Sequence, residues 1–256
     1  MKKIILSFLT TAVCISGGYA QEDLFGTTEK KPARKGVVFT INAGLDQPGG
    51  DMAKRFGTSY RLGGGVMYKT ASNWMFGPKI DFIVGNKIKE DSLMINLKDA
   101  NGFLIDQNGY RKGVGTFERG YMIGVQAGKI FNFGKKSSDN GLLALTSVGF
   151  MQHKINIFER SADIVQINKE NRKGYDRLTN GIFIEEYIAY TYFANDGLIN
   201  FHIGLDITAG FTKGRRDYLY DVMRPDDKQR IDILFGIRGG WYIPIFKRKS
   251  EEFFFE

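Results

Sequence analysis

Two imidazoles and one thiol limit the chemistry open to this 256-residue chain: His153, His202 and Cys14. An acyl-transfer site needs a histidine within hydrogen-bond reach of a nucleophile or an orienting carboxylate. His202 shares a period-two face with Asp206, but four residues along a strand span about 13 Å, too far for a hydrogen bond. His153 has Lys154 beside it and neither serine nor threonine two positions away on its own face. His202 reads as a lumen histidine whose ring nitrogens are satisfied for structural reasons. No histidine pair has metal-ligand spacing, and the aspartates of RPDDKQ (224–229) follow no calcium-loop pattern. The glycines of RLGGGVMY (61–68) lie inside an alternating run, not between a strand and a helix, so they form no phosphate loop. On these grounds the sequence assigns no catalytic, cofactor-binding or metal-ligating residue.

The thiol belongs to a leader. Lys2 and Lys3 precede the apolar run IILSFLTTAVCI and then GGYAQ, the three parts of a secretory signal, with the cut expected after Ala20. Cys14 lies within the apolar run behind Val13, where a lipoprotein site would need a small residue, and the mature chain is left without cysteine. Residues 21–35 are charged, contain Pro32 and show no periodicity, as expected of a flexible lead-in. No later segment reaches 18 consecutive apolar residues, so a spanning helix is not expected. The net charge of +8 on an exported chain does not point to nucleic acid.

What positions any side chain from residue 36 onward is alternation. In ILFGIRGGWYIPIF (233–246) a period of two sends Ile233, Phe235, Ile237, Trp241 and Ile243 to one face and Arg238 with Gly236 and Gly240 to the other. Similar runs predict eight strands at 37–45, 59–69, 74–86, 117–133, 142–157, 181–194, 198–212 and 230–246. Most are long enough to cross a bilayer at a tilt, which takes about 9–11 residues. The connections TASN, GKKSSDNG and NDG are short; those at 46–58, 87–116, 158–180 and 213–229 are long and charged. Short and long alternate, as in an outer-membrane barrel with tight periplasmic turns and long extracellular loops. The predicted fold is an all-β, eight-stranded antiparallel up-and-down transmembrane β-barrel over 36–246, with a periplasmic tail at 247–256 and both termini periplasmic. Aromatic residues beside the short turns (Tyr68, Trp74, Phe76, Phe131, Phe133, Tyr192, Phe193, Phe201, Trp241 and Phe246) are expected to form the lower headgroup belt.

Eight strands enclose a space that side chains can fill. The inward positions include Arg61, Lys79, Asp81, Glu185, His202, Asp206, Asp232 and Arg238, interleaved with glycines. Opposite charges in a cramped interior must pair, so these eight are expected to form a structural ion-paired network that plugs the lumen. Glu185 and Glu186 are adjacent and cannot both face inward without a bulge or a place near the outer rim. In the fifth strand alternation is weak, and its faces stay unassigned. Among the basic loop residues, Lys213, Arg215 and Arg216 are the candidates for contact with the phosphates and carboxylates of lipopolysaccharide.

The YAQ signal end, KGYDRLTNG (173–181), TAGFTKGRRDY (208–218) and GIRGGWYIPIFKR (236–248) resemble the small outer-membrane β-barrel proteins of the Bacteroidota. The resemblance spans about residues 36–246 and departs from one secretion-associated subgroup, whose Tyr-Ile-Gly-Asp block is replaced here by NAGLDQPGG. It implies an outer-membrane location with lipid and protein partners in the envelope. The function expected is a non-enzymatic anchor or docking subunit of a secretion or barrel-assembly machine. A narrow pore for small solutes or ions is the alternative, and a lipid A modifying enzyme the third reading.

Overall fold

A computed structural model of the chain describes residues 33–132, 139–159, 164–194 and 199–246. The signal (1–20), most of the lead-in and the tail (247–256) lie outside the described residues, as does Phe133. Eight long strands form the fold: β1 (Gly36–Gly50), β2 (Ser59–Lys69), β3 (Trp74–Gly85), β4 (Gly115–Phe131), β5 (Gly141–Phe158), β6 (Thr179–Phe193), β7 (Asn200–Gly214) and β8 (Gln229–Phe246). Each pairs antiparallel with its sequence neighbour, and β1 pairs with β8 from Gly36↔Phe246 to Gly50↔Asp232. The sheet is therefore a closed ring with no free edge, the all-β eight-stranded antiparallel barrel expected from alternation.

The boundaries differ in one informative place. Residues 46–50, DQPGG, read as loop because Asp, Pro and Gly punctuate chains. They instead extend β1, laddered against residues 232–236 of β8, with Asp46 buried and Gly50 in the left-handed region at φ +60°. The first outer connection shrinks to residues 51–58 and is no longer than the connection at 132–140, so loop lengths alternate less strictly than the sequence suggests. The turn at residues 70–73 shows why TASN closes a hairpin: the Thr70 hydroxyl accepts from the Trp74 amide at 3.0 Å, and Asn73 takes φ +65°, which asparagine tolerates.

The outer wall is apolar. Ile41, Leu62, Phe82, Val125, Ile188, Leu205, Ile237 and Ile243 are all exposed. At one end of the barrel an aromatic girdle carries the exposed Tyr68, Trp74, Tyr190 and Trp241, with Phe201 half-buried among them. Two residues expected in that belt are not there. Phe193 is buried and stacks on Tyr242 at 4.8 Å, and Phe246 turns inward against Phe193 at 5.8 Å. They lie on the inward register of β6 and β8 and close the lumen's lower end instead of facing outward.

Candidate functional site

The lumen is filled in three tiers. The lowest is apolar: Val38, Met67, Met75, Ile130, Leu143, Leu145, Phe193 and Tyr242 pack together. At its base Lys69 is tied to Asp139 at 2.8 Å and to the Asn73 side-chain oxygen at 2.8 Å. Arg34, just ahead of β1, binds the same Asp139 at 2.6 Å and lies 4.6 Å over the Phe246 ring.

The middle tier is ionic. Arg61 on β2 donates to both oxygens of Asp46 on β1 (2.9 and 2.5 Å), to Glu185 on β6 (2.6 Å) and to Asp206 on β7. Lys79 on β3 bridges Asp81 at 2.8 Å and Glu185 at 2.6 Å, and Arg238 on β8 reaches Glu185 at 3.0 Å. Three cations from three strands therefore converge on Glu185, which has no exposed side-chain surface. Below them Arg238 lies 4.0 Å over the Tyr187 ring, and the Tyr187 hydroxyl sits between the Arg238 carbonyl (3.0 Å) and His202 Nδ1 (2.6 Å). The other nitrogen of His202 is 3.0 Å from Asn42 Oδ1. Room for these groups comes from missing side chains: a Cβ on Gly63 would meet Asp81 Oδ1 at 2.1 Å, and one on Gly240 would meet Asn42 Oδ1 at 2.5 Å.

The upper tier caps the barrel. Met52, Phe56, Ile83, Met122, Met151, Ile155, Phe183 and Leu234 form one cluster with Leu93, Met94, Leu104, Ile164 and Tyr175 from the loops. Within it His153 Nε2 lies 2.9 Å from Asp232 Oδ2, which also accepts from the Thr212 hydroxyl at 2.5 Å. Ser59 donates to Glu118 close by. The Thr212 hydroxyl is bound to the carboxylate and not to the imidazole, so the trio has no activated nucleophile.

Seven of the eight predicted lumen residues, Arg61, Lys79, Asp81, Glu185, His202, Asp206 and Arg238, share the middle tier; Asp232 belongs to the upper one. Sequence reasoning missed Asp46, hidden in a segment read as loop, and the pairing of His153 with Asp232, because alternation in the fifth strand is too weak to assign its faces. Glu185 and Glu186 resolve without a bulge: Glu185 points in, and Glu186 points out to Thr146.

The loops above the barrel hold further ion pairs. Arg216 is bound by both oxygens of Asp176 (2.7 and 2.6 Å), a contact that raises its affinity for a proton above that of ordinary arginine. Arg177, at φ +52°, is gripped by Asp221 (2.8 and 2.6 Å). Burial opposes its charge, but the Asp221 hydrogen bonds and the Glu90 charge outweigh it. Lys213 and Arg215 stay exposed, Arg215 donating to Asn180 at 2.6 Å. A cavity of about 350 Å³ opens among Arg55, Glu90, Arg177, Arg224, Asp226 and Arg230.

Among solved structures, several small outer-membrane barrels match this chain at low similarity. Ail of Yersinia pestis, in complex with the heparin analogue sucrose octasulfate, matches at TM-score 0.43 and 7% identity, covering 82% of this chain and 99% of that one. Neisserial surface protein A matches at TM-score 0.42 and 8% identity, over 80% of this chain and 96% of that one. The outer membrane protein OprG from Pseudomonas aeruginosa matches at TM-score 0.33 and 10% identity, over 82% and 97%. No protein-family model and no curated protein matches the sequence.

Proposed function

We propose that the chain is an outer-membrane β-barrel, with both ends of the barrel chain on the periplasmic side, that works without catalysis as an anchor or docking subunit of an envelope machine for secretion or barrel assembly. The membrane reading is supported by the closed ring and its apolar wall: an open edge in hydrocarbon would leave unpaired amides costing several kcal/mol each. The observation that carries the docking reading is the three-tier filling of the lumen. The void beside Thr40, Asn42 and Arg238 measures only about 10 Å³, close to the space of one water, which together with the packed tiers above and below it argues against transport through the barrel. What remains available to partners is the loop crown, built as one packed body on the upper tier.

The periplasmic placement of the barrel ends rests on loop length, since outer-membrane barrels keep long loops outside. Lys213 and Arg215 flank the apolar wall at the loop end and would meet the phosphates of lipopolysaccharide, with Arg216 already committed to Asp176.

Affinity purification of the tagged chain from native membranes in mild detergent tests the docking role. Stoichiometric recovery of other envelope subunits is expected. Recovery of this chain alone, under conditions that keep a known envelope complex intact, would overturn it. Planar-bilayer recording separates the pore reading: steady single-channel steps would favour the pore, and a silent bilayer the plug.

A further inference from the structure

The wall of β5 and β6 carries one group that an isolated barrel does not need. Outward positions on β6 run Asn180, Ile182, Ile184, Glu186, Ile188, Tyr190, Tyr192. Glu186 lies six residues from Asn180, in the polar ring at the loop end, and six from Tyr192, in the aromatic girdle, or about 20 Å along the strand each way. With the tilt usual for such barrels, that places its carboxyl near the middle of the apolar band. Among the described residues, no other outward position between the two rings carries a charge; Lys129, on β4, sits within the lower girdle against Trp74 at 5.7 Å and Phe131 at 6.0 Å. Thr146, opposite Glu186 on β5, places its hydroxyl 3.0 Å from both carboxyl oxygens. One hydroxyl hydrogen cannot satisfy two oxygens, and an ionisable group at this depth is costly unless something answers it.

We propose that this patch is where two copies of the chain meet in the membrane plane, wall to wall along β5 and β6 about a two-fold axis, each Glu186 carboxyl hydrogen-bonding across the contact. In its neutral, protonated form the Glu186 carboxyl carries one O–H donor and one acceptor oxygen, so a symmetric partner can exchange hydrogen bonds with it and adds no net charge to the band. A different partner would need its own buried donor at the same depth. Small outward residues lie on the β4 and β5 side of the pair, where Ala127 faces Thr146 and Ala144 is next on β5, while on the other side Glu186 pairs with Ile207 between Ile184 and Ile188. Small residues let two walls approach closely. The opposite wall, on β1 and β2, presents Phe39, Ile41, Leu62 and Val66 together with Ala43 and Gly64. The inference rests on the membrane reading but not on the docking role.

The test uses the full chain in isolated outer membranes, in a Cys14→Ser background, with one cysteine at Ala144→Cys or, on the opposite wall, at Ile41→Cys. Oxidation is expected to give a cross-linked species of twice the chain mass about tenfold faster for A144C than for I41C. Adding Glu186→Leu should slow that cross-link about tenfold, and Glu186→Gln, which keeps a donor and an acceptor, should restore it. Equal rates at the two sites, an undiminished cross-link in E186L, or a cross-link to another protein would overturn the proposal. Heat-modifiable gel mobility reports separately whether the barrel is folded in the membrane. Failure of the membrane reading is therefore distinguishable from failure of the contact.

Discussion

At Arg61 three carboxylates depend on one guanidinium, whereas at Glu185 one carboxylate is shared by three cations. The two ends of the network are therefore unequal. Arg61→Leu strands Asp46 and Asp206 as buried anions, and the expected loss is about 3–5 kcal/mol. Arg238→Leu leaves Glu185 paired with both Lys79 and Arg61, so its effect should be clearly smaller. Urea unfolding midpoints in detergent, read by heat-modifiable mobility, would check the order; equal midpoints would refute it. Gly63→Ala is expected to cost about 1–3 kcal/mol, because its methyl would collide with the Asp81 carboxylate. At this scale the sequence reveals direction but not distance. Period two places Arg61, Lys79, Glu185 and Arg238 on inward faces, yet which carboxylate meets which cation depends on shear between strands far apart in the chain. Asp46 was concealed because Pro48 and the glycines around it imitate a turn.

Among the elements, β5 is the instructive case. Its inward face carries Leu143, Leu145, Met151, Ile155 and Ile157, because it spans both apolar tiers, and the middle of its outward face is largely apolar too, with Leu142, Ala144, Val148 and Phe150 around Thr146. Alternation of hydrophobicity vanishes when both sides are dry, which is why the faces of β5 could not be read from its sequence. Phe193 and Phe246 misled for the same reason. The loop elements are built differently, from contacts local in the chain. In DANGF and DQNGY, Asp99 accepts from the amides of Asn101 and Phe103, and Asp106 from those of Asn108 and Tyr110, each at 2.8–2.9 Å, with Gly102 and Gly109 at φ +81°. The Phe103 amide holds the Asp99 carboxyl below its ordinary range; for Asp106 desolvation pushes the other way but is outweighed by the Tyr110 and Asn108 amides. Folded values below the unfolded one mean that the contribution is complete above about pH 4 and is lost as pH falls through the folded value. Amide exchange at Phe103 and Tyr110 should therefore accelerate on acidification below about pH 4, beyond the intrinsic pH dependence. Protection that stays constant there would count against the turns' reliance on these carboxylates.

For the molecule as a whole, closure was legible because eight alternating runs with an apolar side have few stable arrangements, while the tiered filling was not, since it depends on all the strands at once. That filling also predicts behaviour in a bilayer: no conductance from the intact chain, and leak currents from a variant such as Arg61→Leu if the ionic tier is what blocks the path. A silent R61L barrel that is folded by mobility would shift the block to the apolar tiers. One more property follows from the ladder that joins Gly36 to Phe246. Since the strand that opens the barrel and the strand that completes it lie side by side at the same rim, the backbone is in effect a necklace whose clasp could be moved. Linking residue 246 to residue 36 through a few glycines and opening the chain within 70–73 should yield a permuted molecule with the same rungs, assembled in a different order.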